Sequence, residues 1–305
     1  MQLGIIGLGK MGANMARRLL RNDIYVVGYN RSSDILDELS QNTNFTKSAN
    51  IDDLINKLDS PKIVWIMLPS GQATEDMLLE LSNKLNKGDL IIDGGNSNYN
   101  DSIRRGELLR TKHIQYMDAG VSGGIWGNEN GYCLMVGGDD SAVKLIKPVL
   151  EVLAPSPTQG WAHVGPIGAG HFSKMVHNGI EYGMMQAFAE GFSLLKGKSE
   201  FDYNLAQVSE LWRHSSVVRS WLLDLMAEFL ADDQKLEQVS PFVSDSGEGR
   251  WTVEESIKQG VATPVLTMAL FSRFTSQDNN QYGNKLLSKM RQAFGGHKVF
   301  KNNDK

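Results

Sequence analysis

The chain has 305 residues, of which 41% are hydrophobic and 22% are charged, and its formal net charge at pH 7 is −4. This composition is typical of a globular protein with room for two domains, and mild acidity without a basic tract argues against a nucleic-acid partner. No run of about 18 apolar residues occurs, so a membrane span is not expected. Cys133 is the only cysteine, which excludes an intrachain disulfide and predicts a reducing, cytoplasmic compartment. The apolar run around Cys133 predicts a small core residue there.

Residues 1–165 alternate predicted strands with predicted helices. The opening MQLGIIGLGKMG lacks the basic-then-apolar order of a signal peptide, and it is better interpreted as a strand. The predicted strands are QLGIIG, IYVVGYN, KIVWIML, DLIIDGG, QYMDAG, YCLMVGG and the short WAHVG. The helices between them include GANMARRLLRN, SDILDELS, TEDMLLELSNKL and AVKLIKPVLEVLA. This alternation predicts an α/β fold whose N-terminal part is a Rossmann-type, mostly parallel, doubly wound sheet.

A glycine pattern marks the end of the first predicted strand, where Gly7, Gly9 and Gly12 spell G-x-G-x-x-G. A dinucleotide fingerprint requires this position between a strand and a helix. The first glycine permits the tight turn, the second lets the backbone approach a pyrophosphate, and the third lets helix and strand pack. The N–H groups at the start of the helix would face the phosphates. The alternative is that these glycines serve turn geometry alone.

The end of the second predicted strand bears on which dinucleotide binds. An acidic residue there would bind the ribose 2′-hydroxyl and repel a 2′-phosphate, but the chain has Asn30, Arg31 and Ser32. Asn30 is uncharged, Ser32 can donate a hydrogen bond, and the fork of Arg31 can pair with a phosphate. We therefore expect NADP as cofactor, with NAD as the alternative. In the alternative interpretation, Arg31 is a surface residue that caps the next helix.

Three further loops follow predicted strands, at the edge where ligands bind in such folds. They are Met67–Ser70, the glycine-rich Asp93–Ser97, and Val121–Gly127. Turn chemistry alone could explain Gly-Gly-Asn in the second loop, whereas Asn96 would also offer a neutral donor and acceptor. Ser-Gly-Gly in the third loop could form a backbone nest for a carboxylate.

The stretch 170–190 predicts a helix, since its apolar residues recur at helical spacing without proline. Lys174, His177, Asn178 and Glu181 lie at i, i+3, i+4 and i+7, which puts all four polar groups on one face. A solvated surface would also carry Lys and Glu. However, Gly179 and Gly183 interrupt the helix and cost about 1 kcal/mol each relative to alanine, so close approach of a ligand or another helix is expected. We interpret the polar face as buried and catalytic.

The chain from residue 166 to 305 predicts an all-α C-terminal domain that follows the Rossmann domain. Its helices include one or two within LAQVSELWRHSSVVRSWLLDLMAEFLA, and then VEESIKQG, PVLTMALFSRFTS and NKLLSKMRQAF. The apolar residues of the first of these stretches are too many for so small a domain to bury alone. We therefore predict a homodimer through this domain, or a homotetramer built from two dimers.

Together, GLGKMG, NRS, MLPSG, DGGNS, GVSGG and KMVHNGIEY resemble the motifs of the 6-phosphogluconate dehydrogenases, within the wider β-hydroxyacid dehydrogenase family. SDSGEGRWT, ATPVLTMALFSRF and RQAFGGH resemble the substrate-phosphate segment and C-terminal tail of the same family. The motifs run from residue 4 to residue 297, and the length of the chain resembles the short-chain type. A resemblance this extended implies the fold and the reaction of the family.

That reaction is the oxidative decarboxylation of 6-phosphogluconate to ribulose 5-phosphate and carbon dioxide, without a metal. By motif, Lys174 corresponds to the general base and Glu181 to the general acid, with His177 and Asn178 assisting. The other substrate contacts implied are Asn96, Ser122, Gly123, Gly124, Tyr182, Arg250, Thr252, Arg273, Arg291 and His297. The cofactor contacts implied are Gly7, Leu8, Gly9, Lys10, Met11, Gly12, Asn30, Arg31, Ser32, Leu68, Pro69 and Asn96.

The phosphate segment departs from the family at Arg250, where most members have lysine before Trp-Thr, so this contact should persist in altered geometry. The glycine-rich turn expected around Arg250 suits an anion, and the alternative for Arg250 and Arg273 is a surface charge. The resemblance implies that Arg291 and His297 reach the neighbouring subunit's site. The alternative for this tail is a frayed terminus.

The residues suit this chemistry on their own. Burial and a neighbouring positive nicotinamide would lower the pKa of Lys174 from about 10.4, so that a neutral amine could accept the hydroxyl proton. Glu181 could protonate the enediol left after carbon dioxide departs. Two alternatives stay open. One is a β-hydroxyacid dehydrogenase for a small unphosphorylated acid, and the other is a nucleotide-binding regulator without catalysis.

Overall fold

The structure is a computed structural model that describes residues 1–300, apart from the side chain of Phe294. It contains two compact units, Met1–Asn178 and a second that begins at Gly179. The first unit is built on a mostly parallel sheet and the second on helices, so the predicted fold class is confirmed. The predicted boundary at residues 165 and 166 stays a prediction, and the last five tail residues, 301–305, lie outside the described residues.

The first unit contains one eight-stranded sheet with the strand order β3-β2-β1-β4-β5-β6-β7-β8. All neighbouring strands pair in parallel except β6 and β7, which are antiparallel. The order turns back between β1 and β4, which is the switch point where such sheets bind ligands. The strands are β1 Gln2–Ile6, β2 Tyr25–Tyr29, β3 Phe45–Lys47, β4 Ile63–Ile66, β5 Leu90–Asp93, β6 Gln115–Ser122, β7 Cys133–Gly138 and β8 Trp161–Gly165.

Helices cover both faces of this sheet, which explains why its central strands read as unbroken apolar runs rather than alternating ones. All four residues of β4 and all four of β5 are buried. Two separate apolar clusters occupy the two faces, one containing Trp65 and the other Val64. The helices are α1 Lys10–Leu20, α2 Asp34–Leu39, α3 Ile51–Lys57, α4 Gln72–Ser82, α5 Tyr99–Thr111, α6 Gly127–Asn130 and α7 Asp140–Leu153.

Two details differ from the sequence-based expectations. The short strand β3 was not predicted, because it has only three residues and two of them are exposed. The prediction that Cys133 is a core residue is wrong, since its side chain is exposed. Cys133 is the first residue of β7 and pairs with Ser122 at the last rung of the antiparallel ladder. The apolar run therefore begins to be buried only at the next residue, Leu134.

The long helix α8, Ala169–Gly197, begins in the first unit and continues into the second. The helices that follow are α9 Leu205–Arg213, α10 Trp221–Asp232, α11 Glu248–Gln259, α12 Pro264–Gln277 and α13 Tyr282–Gly295. Many large apolar side chains of the second unit are exposed, among them Val217 at 99%, Leu194 at 77% and Trp221 at 49%. These exposed side chains support the predicted homodimer, which stays a prediction. Within residues 1–300, none of the helices has the length and apolar character needed to cross a bilayer.

Candidate active site

The glycine loop after β1 has a distinct reason for each of its three glycines. Gly7 has a φ of +94°, and an added Cβ would lie 2.6 Å from the carbonyl oxygen of Met67. A Cβ at Gly12 would lie 2.1 Å from the carbonyl oxygen of Gly7. Gly9 differs, because a Cβ there would meet nothing within 4 Å. Gly7 and Gly12 are thus required by packing, whereas the surface at Gly9 is open to a ligand.

Helix α1 starts at this loop and suits an anion. Its first turn contains no acidic residue, and the residue before it, Gly9, has no side chain that could cap the helix. Its first N–H groups therefore lack local side-chain acceptors and can bind phosphate oxygens. Lys10 is exposed at the first helical position. These features fit a dinucleotide pyrophosphate.

Asn30 connects the glycine loop to the end of β2. Its Oδ1 accepts a hydrogen bond from the backbone N–H of Leu8 at 3.1 Å, and its Nδ2 donates to the carbonyl oxygen of Ser32 at 3.2 Å. A carboxylate at this position could accept but could not donate. Arg31 and Ser32 are exposed beside it. The neutral residue therefore has a structural use in addition to the one that the sequence suggested.

The other predicted cofactor contacts lie close to this loop along the sheet edge. Leu68 follows β4, and its Cδ2 would lie 2.9 Å from a Cβ added at Gly7. Pro69 is exposed, and its carbonyl oxygen accepts a hydrogen bond from the hydroxyl of Thr74 at 2.9 Å. Met11 is half-buried in the first turn of α1.

The loop after β5 is organised by the buried carboxylate of Asp93. Its Oδ2 accepts hydrogen bonds from Ser97 at 2.8 Å, from Arg105 at 2.9 Å and from Tyr116 at 3.2 Å. Its Oδ1 accepts one from the N–H of Gly95 at 3.0 Å. This network holds the loop in a shape that gives Asn96 a φ of +57°, a left-handed conformation that asparagine tolerates better than most residues.

Arg105 extends the same network to helix α4. Its side chain is 1% exposed and also pairs with Glu75, from its Nε to Oε2 at 2.9 Å. Arg104 binds the same carboxylate from the solvent side at 2.7 Å. Hydrogen bonds from Arg104 and then Arg105 lower the pKa of Glu75 to about 2. The guanidinium groups of Arg104 and Arg105 and the carboxylates of Glu75 and Asp93 thus form one network that supports the Asp93–Ser97 loop.

The start of α8 is attached to β6 through a second buried carboxylate, Asp118. Its Oδ1 accepts the backbone N–H of Gly168 at 2.6 Å, and its Oδ2 accepts that of His171 at 2.7 Å. A carboxylate at a helix N-terminus satisfies otherwise unpaired N–H groups and is favoured by the helix dipole. A Cβ added at Gly120 would lie 2.4 Å from the Cβ of Lys174. The strand must therefore have glycine at this point for α8 to pack so closely.

The polar face of α8 is organised around the side-chain oxygen of Asn178. This Oδ1 accepts from the Nζ of Lys174 at 2.7 Å and lies 3.0 Å from the Nδ1 of His177. With the proton on Nδ1, the Nε2 of His177 is left to accept from the hydroxyl of Ser122, 3.4 Å away. Lys174 and Asn178 are buried, while His177 is half-buried. The structure thus brings these four predicted residues together within the first unit.

The predicted nest begins at Ser122 and continues through two glycines. Gly123 and Gly124 have φ values of +137° and +55°, which few other residues adopt. Gly123 rests on the ring of the buried Tyr132, since an added Cβ would lie 3.1 Å from its Cδ1. Gly124 begins a short 3-10 helix that ends at Trp126.

The two glycines of α8 permit close helix packing in the second unit, as the sequence suggested. A Cβ at Gly179 would lie 2.8 Å from the Cγ2 of Thr252 on α11. A Cβ at Gly183 would lie 3.2 Å from Leu266 and 3.3 Å from Val265, both on α12. Glu181 is half-buried in the same part of α8. Close contact with helices α11 and α12 is therefore what the structure shows at these glycines.

The predicted phosphate contacts of the second unit surround the residues Ser244–Ser246. The guanidinium of Arg273 stacks on the ring of Tyr182, 3.4 Å from its centroid, and donates to the carbonyl oxygen of Ser244 at 2.9 Å. The N–H of Ser246 donates to the hydroxyl of Tyr182 at 3.3 Å. Arg273 and Tyr182 are thus brought together, with the charge of Arg273 held over an aromatic face.

Arg250 differs from its sequence-based description. It lies in the first turn of α11 rather than in a glycine-rich turn, since only Gly247 precedes the helix. Its guanidinium forms a bidentate pair with Asp245 at 2.8 and 2.9 Å and lies 4.3 Å from the ring centroid of Phe274. This pairing lowers the pKa of Asp245 and raises that of Arg250. The fork expected for a phosphate therefore already binds a carboxylate.

The remaining predicted contacts are placed less directly. Thr252 is buried, and its hydroxyl donates to the carbonyl oxygen of Glu248 at 2.7 Å. Arg291 is exposed on α13, and His297 is exposed beyond the end of that helix. Glu181, Tyr182, Arg250, Thr252 and Arg273 belong to the second unit.

Sequence reasoning missed Asp93, Arg105 and Asp118 as supports of the site. A signal was available for the two aspartates, because each is an acidic residue within an apolar run that ends a strand, DLIIDGG and QYMDAG. Burial of a carboxylate requires hydrogen-bond donors, and so each could have been predicted to bind a neighbouring loop or helix.

Both parts of the chain match models of one protein family. Residues 2–165 match the NAD binding domain of 6-phosphogluconate dehydrogenase, and residues 170–304 match the 6-phosphogluconate dehydrogenase C-terminal domain. The first match agrees with the open glycine loop and the uncapped start of α1.

Similar proteins come from all three domains of life. A Bacillus subtilis protein, provisionally named a 6-phosphogluconate dehydrogenase, is 41% identical over 297 residues, which are 97% of this chain and 98% of the relative. The NAD(+)-dependent, decarboxylating 6-phosphogluconate dehydrogenase of Haloferax volcanii is 37% identical and covers 100% of both chains. The structure of Plasmodium falciparum 6-phosphogluconate dehydrogenase, solved also with NADP+ and with 6-phosphogluconate, has a TM-score of 0.83 and 28% identity. It covers 100% of this chain, which spans 67% of that one.

Proposed function

The chain belongs to the 6-phosphogluconate dehydrogenase family, and on this basis we propose that it converts 6-phosphogluconate to ribulose 5-phosphate and carbon dioxide. The observation that carries the proposal is the buried amine of Lys174, whose Nζ donates to Asn178 at 2.7 Å. Burial of a lysine costs free energy, because a charged amine loses its hydration, and ionisable groups in such positions are concentrated at functional sites. The function that we assign to this amine is proton transfer at the substrate.

In this mechanism, the nicotinamide of a bound dinucleotide would accept the hydride, and the loop at Gly9, which leaves open space, would hold its pyrophosphate. Lys174 accepts the proton of the substrate hydroxyl as the carbinol carbon is oxidised. Asn178 orients the amine through its Oδ1 and is oriented in turn by the Nδ1–H of His177, 3.0 Å away. Ser122 and the backbone of Gly123 and Gly124 would bind the acid end of the substrate.

The ketone formed at carbon 3 then accepts the electrons of the bond to the carboxylate, and carbon dioxide leaves. Protonated Lys174 stabilises the negative charge that develops on the ketone oxygen. Glu181, seven residues further along α8, then donates a proton to carbon 1 of the enediol, which yields the ketose. These steps use acid and base groups of the protein and require no metal.

We propose NADP as the preferred cofactor, supported by the exposed Arg31 at the end of β2 and by the absence of an acidic residue at Asn30. We expect the Arg31→Ala variant to lose about tenfold or more in kcat/KM with NADP and little with NAD, because one charge-assisted phosphate contact contributes about 1.5–3 kcal/mol. Steady-state kinetics with both cofactors measure this. An unchanged ratio between the kcat/KM values for the two cofactors would show that Arg31 does not contact a 2′-phosphate.

We propose that the substrate phosphate binds at Arg273 and Tyr182, with Arg250 and Thr252 beside them. We expect kcat/KM for 6-phosphogluconate to exceed that for gluconate by about 10³ or more, since several charge-assisted hydrogen bonds depend on the phosphate. An NADPH absorbance assay with both acids and with hydroxyisobutyrate measures this. Faster turnover of an unphosphorylated acid would support the wider β-hydroxyacid dehydrogenase alternative, and no turnover of any acid would support a regulator.

The Arg273→Gln variant sharpens this test because it removes the charge but keeps hydrogen-bond donors. We expect it to lower kcat/KM for 6-phosphogluconate while leaving gluconate turnover unchanged, so that the ratio of the two kcat/KM values becomes smaller. A matched control is Arg213→Gln, an arginine of the same unit that pairs with Asp224 and Glu210 on α10 and α9. That variant should keep the wild-type ratio.

A further inference from the structure

The segment between β6 and β7, residues 123–131, has few restraints of its own. Glycines with positive φ lie at both of its ends, Gly123 at +137° and Gly124 at +55° on one side and Gly131 at +82° on the other. Between them are a 3-10 helix of three residues and α6 with only four residues. Such short helices contribute little stability by themselves, so contacts from outside must define where this segment lies.

Several of those contacts come from one row of side chains on α1 and on Arg21, the residue that caps its C-terminal end. Asn14 donates from Nδ2 to the carbonyl oxygen of Ile125 at 3.2 Å. Arg21 donates to the side chains of Asn128 at 2.9 Å and Glu129 at 3.0 Å. The spacing of these two residues with Arg18 between them keeps all three on one side of the helix.

Arg18 makes the most extensive contact of the row. Its guanidinium donates to the carbonyl oxygens of Val152 at 2.8 Å, Ala154 at 2.6 Å, Asn128 at 3.3 Å and Glu129 at 3.1 Å. These carbonyls belong to the C-terminal ends of α6 and α7, where a cation is favoured by the helix dipole. A planar fork can reach all four at once, and an ammonium group cannot.

The same helix begins at the dinucleotide loop, where Gly9 precedes its first residue. We propose that Asn14, Arg18 and Arg21 are positioning residues through which α1 sets the location of segment 123–131, and hence of the Ser122–Gly124 substrate loop, relative to the bound dinucleotide. This inference rests on the proposed function for the role of Ser122–Gly124. Helix α1 would bind the cofactor at its start and hold segment 123–131 along its side. A rigid helix in this arrangement would fix the position of the substrate relative to the cofactor.

The experiment replaces the fork of Arg18 while keeping its charge. We expect Arg18→Lys to raise the KM for 6-phosphogluconate about tenfold, because small displacements of binding groups are costly to a pre-organised site. The dissociation constant for NADPH, measured by fluorescence titration, should stay within about twofold. If Arg18 only stabilised the fold, Arg18→Lys would instead raise both the KM for 6-phosphogluconate and the dissociation constant for NADPH, and it would lower the melting temperature.

A charge exchange provides the rescue. Arg21→Glu should raise the KM for 6-phosphogluconate. Adding Glu129→Arg in the same chain should bring this KM part of the way back to the wild-type value. The matched control is Glu38→Gln, which removes the pair that Arg17 of the same helix forms with α2 at 2.7 Å. This control should leave the KM unchanged, since Glu38 does not contact segment 123–131 and its loss keeps the hydrogen bond of 2.7 Å from Arg17 to Asn14.

Hydrogen exchange tests the inference without any substrate. The amides of residues 123–131 should exchange faster in Arg18→Lys than in the wild type, and at the wild-type rate in Glu38→Gln. Unchanged exchange together with an unchanged KM would overturn the inference. If the wild type fails to turn over 6-phosphogluconate, the proposed function fails, and hydrogen exchange alone then decides whether α1 positions the segment.

Discussion

Replacing Lys174 with methionine should lower kcat by about 10³-fold, since a positioned general acid or base typically contributes 10²–10⁴-fold. Lys174 is 7% exposed, so an apolar chain of similar length fits its site without exposing new surface. Asn178 keeps a second hydrogen-bond partner in His177, 3.0 Å from its Oδ1. The folded state should therefore persist, and thermal unfolding and NADPH titration should give values close to those of the wild type.

The matched control is Lys196→Met, the same change near the end of the same helix. Lys196 is exposed, and its amine lies 3.5 Å from the carbonyl oxygen of Lys235. Its variant should retain turnover within about twofold, because surface substitutions of this kind usually have small effects. A Lys174→Met variant that keeps more than a tenth of wild-type turnover would remove Lys174 from the role of base.

Replacing Arg105 with methionine should cost about 3–5 kcal/mol of stability, because it leaves the fully buried Asp93 without its positive partner. Arg105 is 1% exposed and Asp93 is 0% exposed in this pair. The remaining donors, Ser97, Tyr116 and Gly95, are neutral and cannot balance the charge. The melting temperature, measured by calorimetry with and without NADPH, reports the loss.

The adjacent arginine provides the comparison, because Arg104 binds the same Glu75 but is 53% exposed. Arg104→Met should cost no more than about 1 kcal/mol, which is the usual range for exposed ion pairs. Equal destabilisation by the two variants would contradict the argument, since it would mean that burial of the charge has no influence. An Arg105→Met variant as stable as the wild type would show that the buried Asp93 does not depend on a positive partner.

The α/β architecture and the glycine loop could be predicted because they depend on local patterns. The apolar runs of β4 and β5 and the glycines at positions 7, 9 and 12 carry their information within a few residues. The polar face of α8 was likewise predictable, since helical spacing alone puts Lys174 and Asn178 side by side. Their hydrogen bond at 2.7 Å agrees with that spacing.

Burial and pairing were less accessible, because they depend on residues that are distant in the chain. Cys133 lies in an apolar run but is exposed at the end of its strand, a position that periodicity does not reveal. Arg250 was expected to be available to a phosphate, yet its fork binds Asp245. The glycine-rich sequence before Arg250 suggested a turn, but two of the three residues that precede Arg250 already belong to α11.

The amino-acid sequence by itself determined the sheet, the dinucleotide loop and the helix that carries the lysine, since each is specified by short-range periodicity and backbone conformation. Only the tertiary structure decided what holds these parts in place. Asp118 binds the start of α8 across 53 residues of chain, and Arg18 binds the end of α7 across 136. Such pairings arise when distant segments are packed together, so no local pattern specifies them.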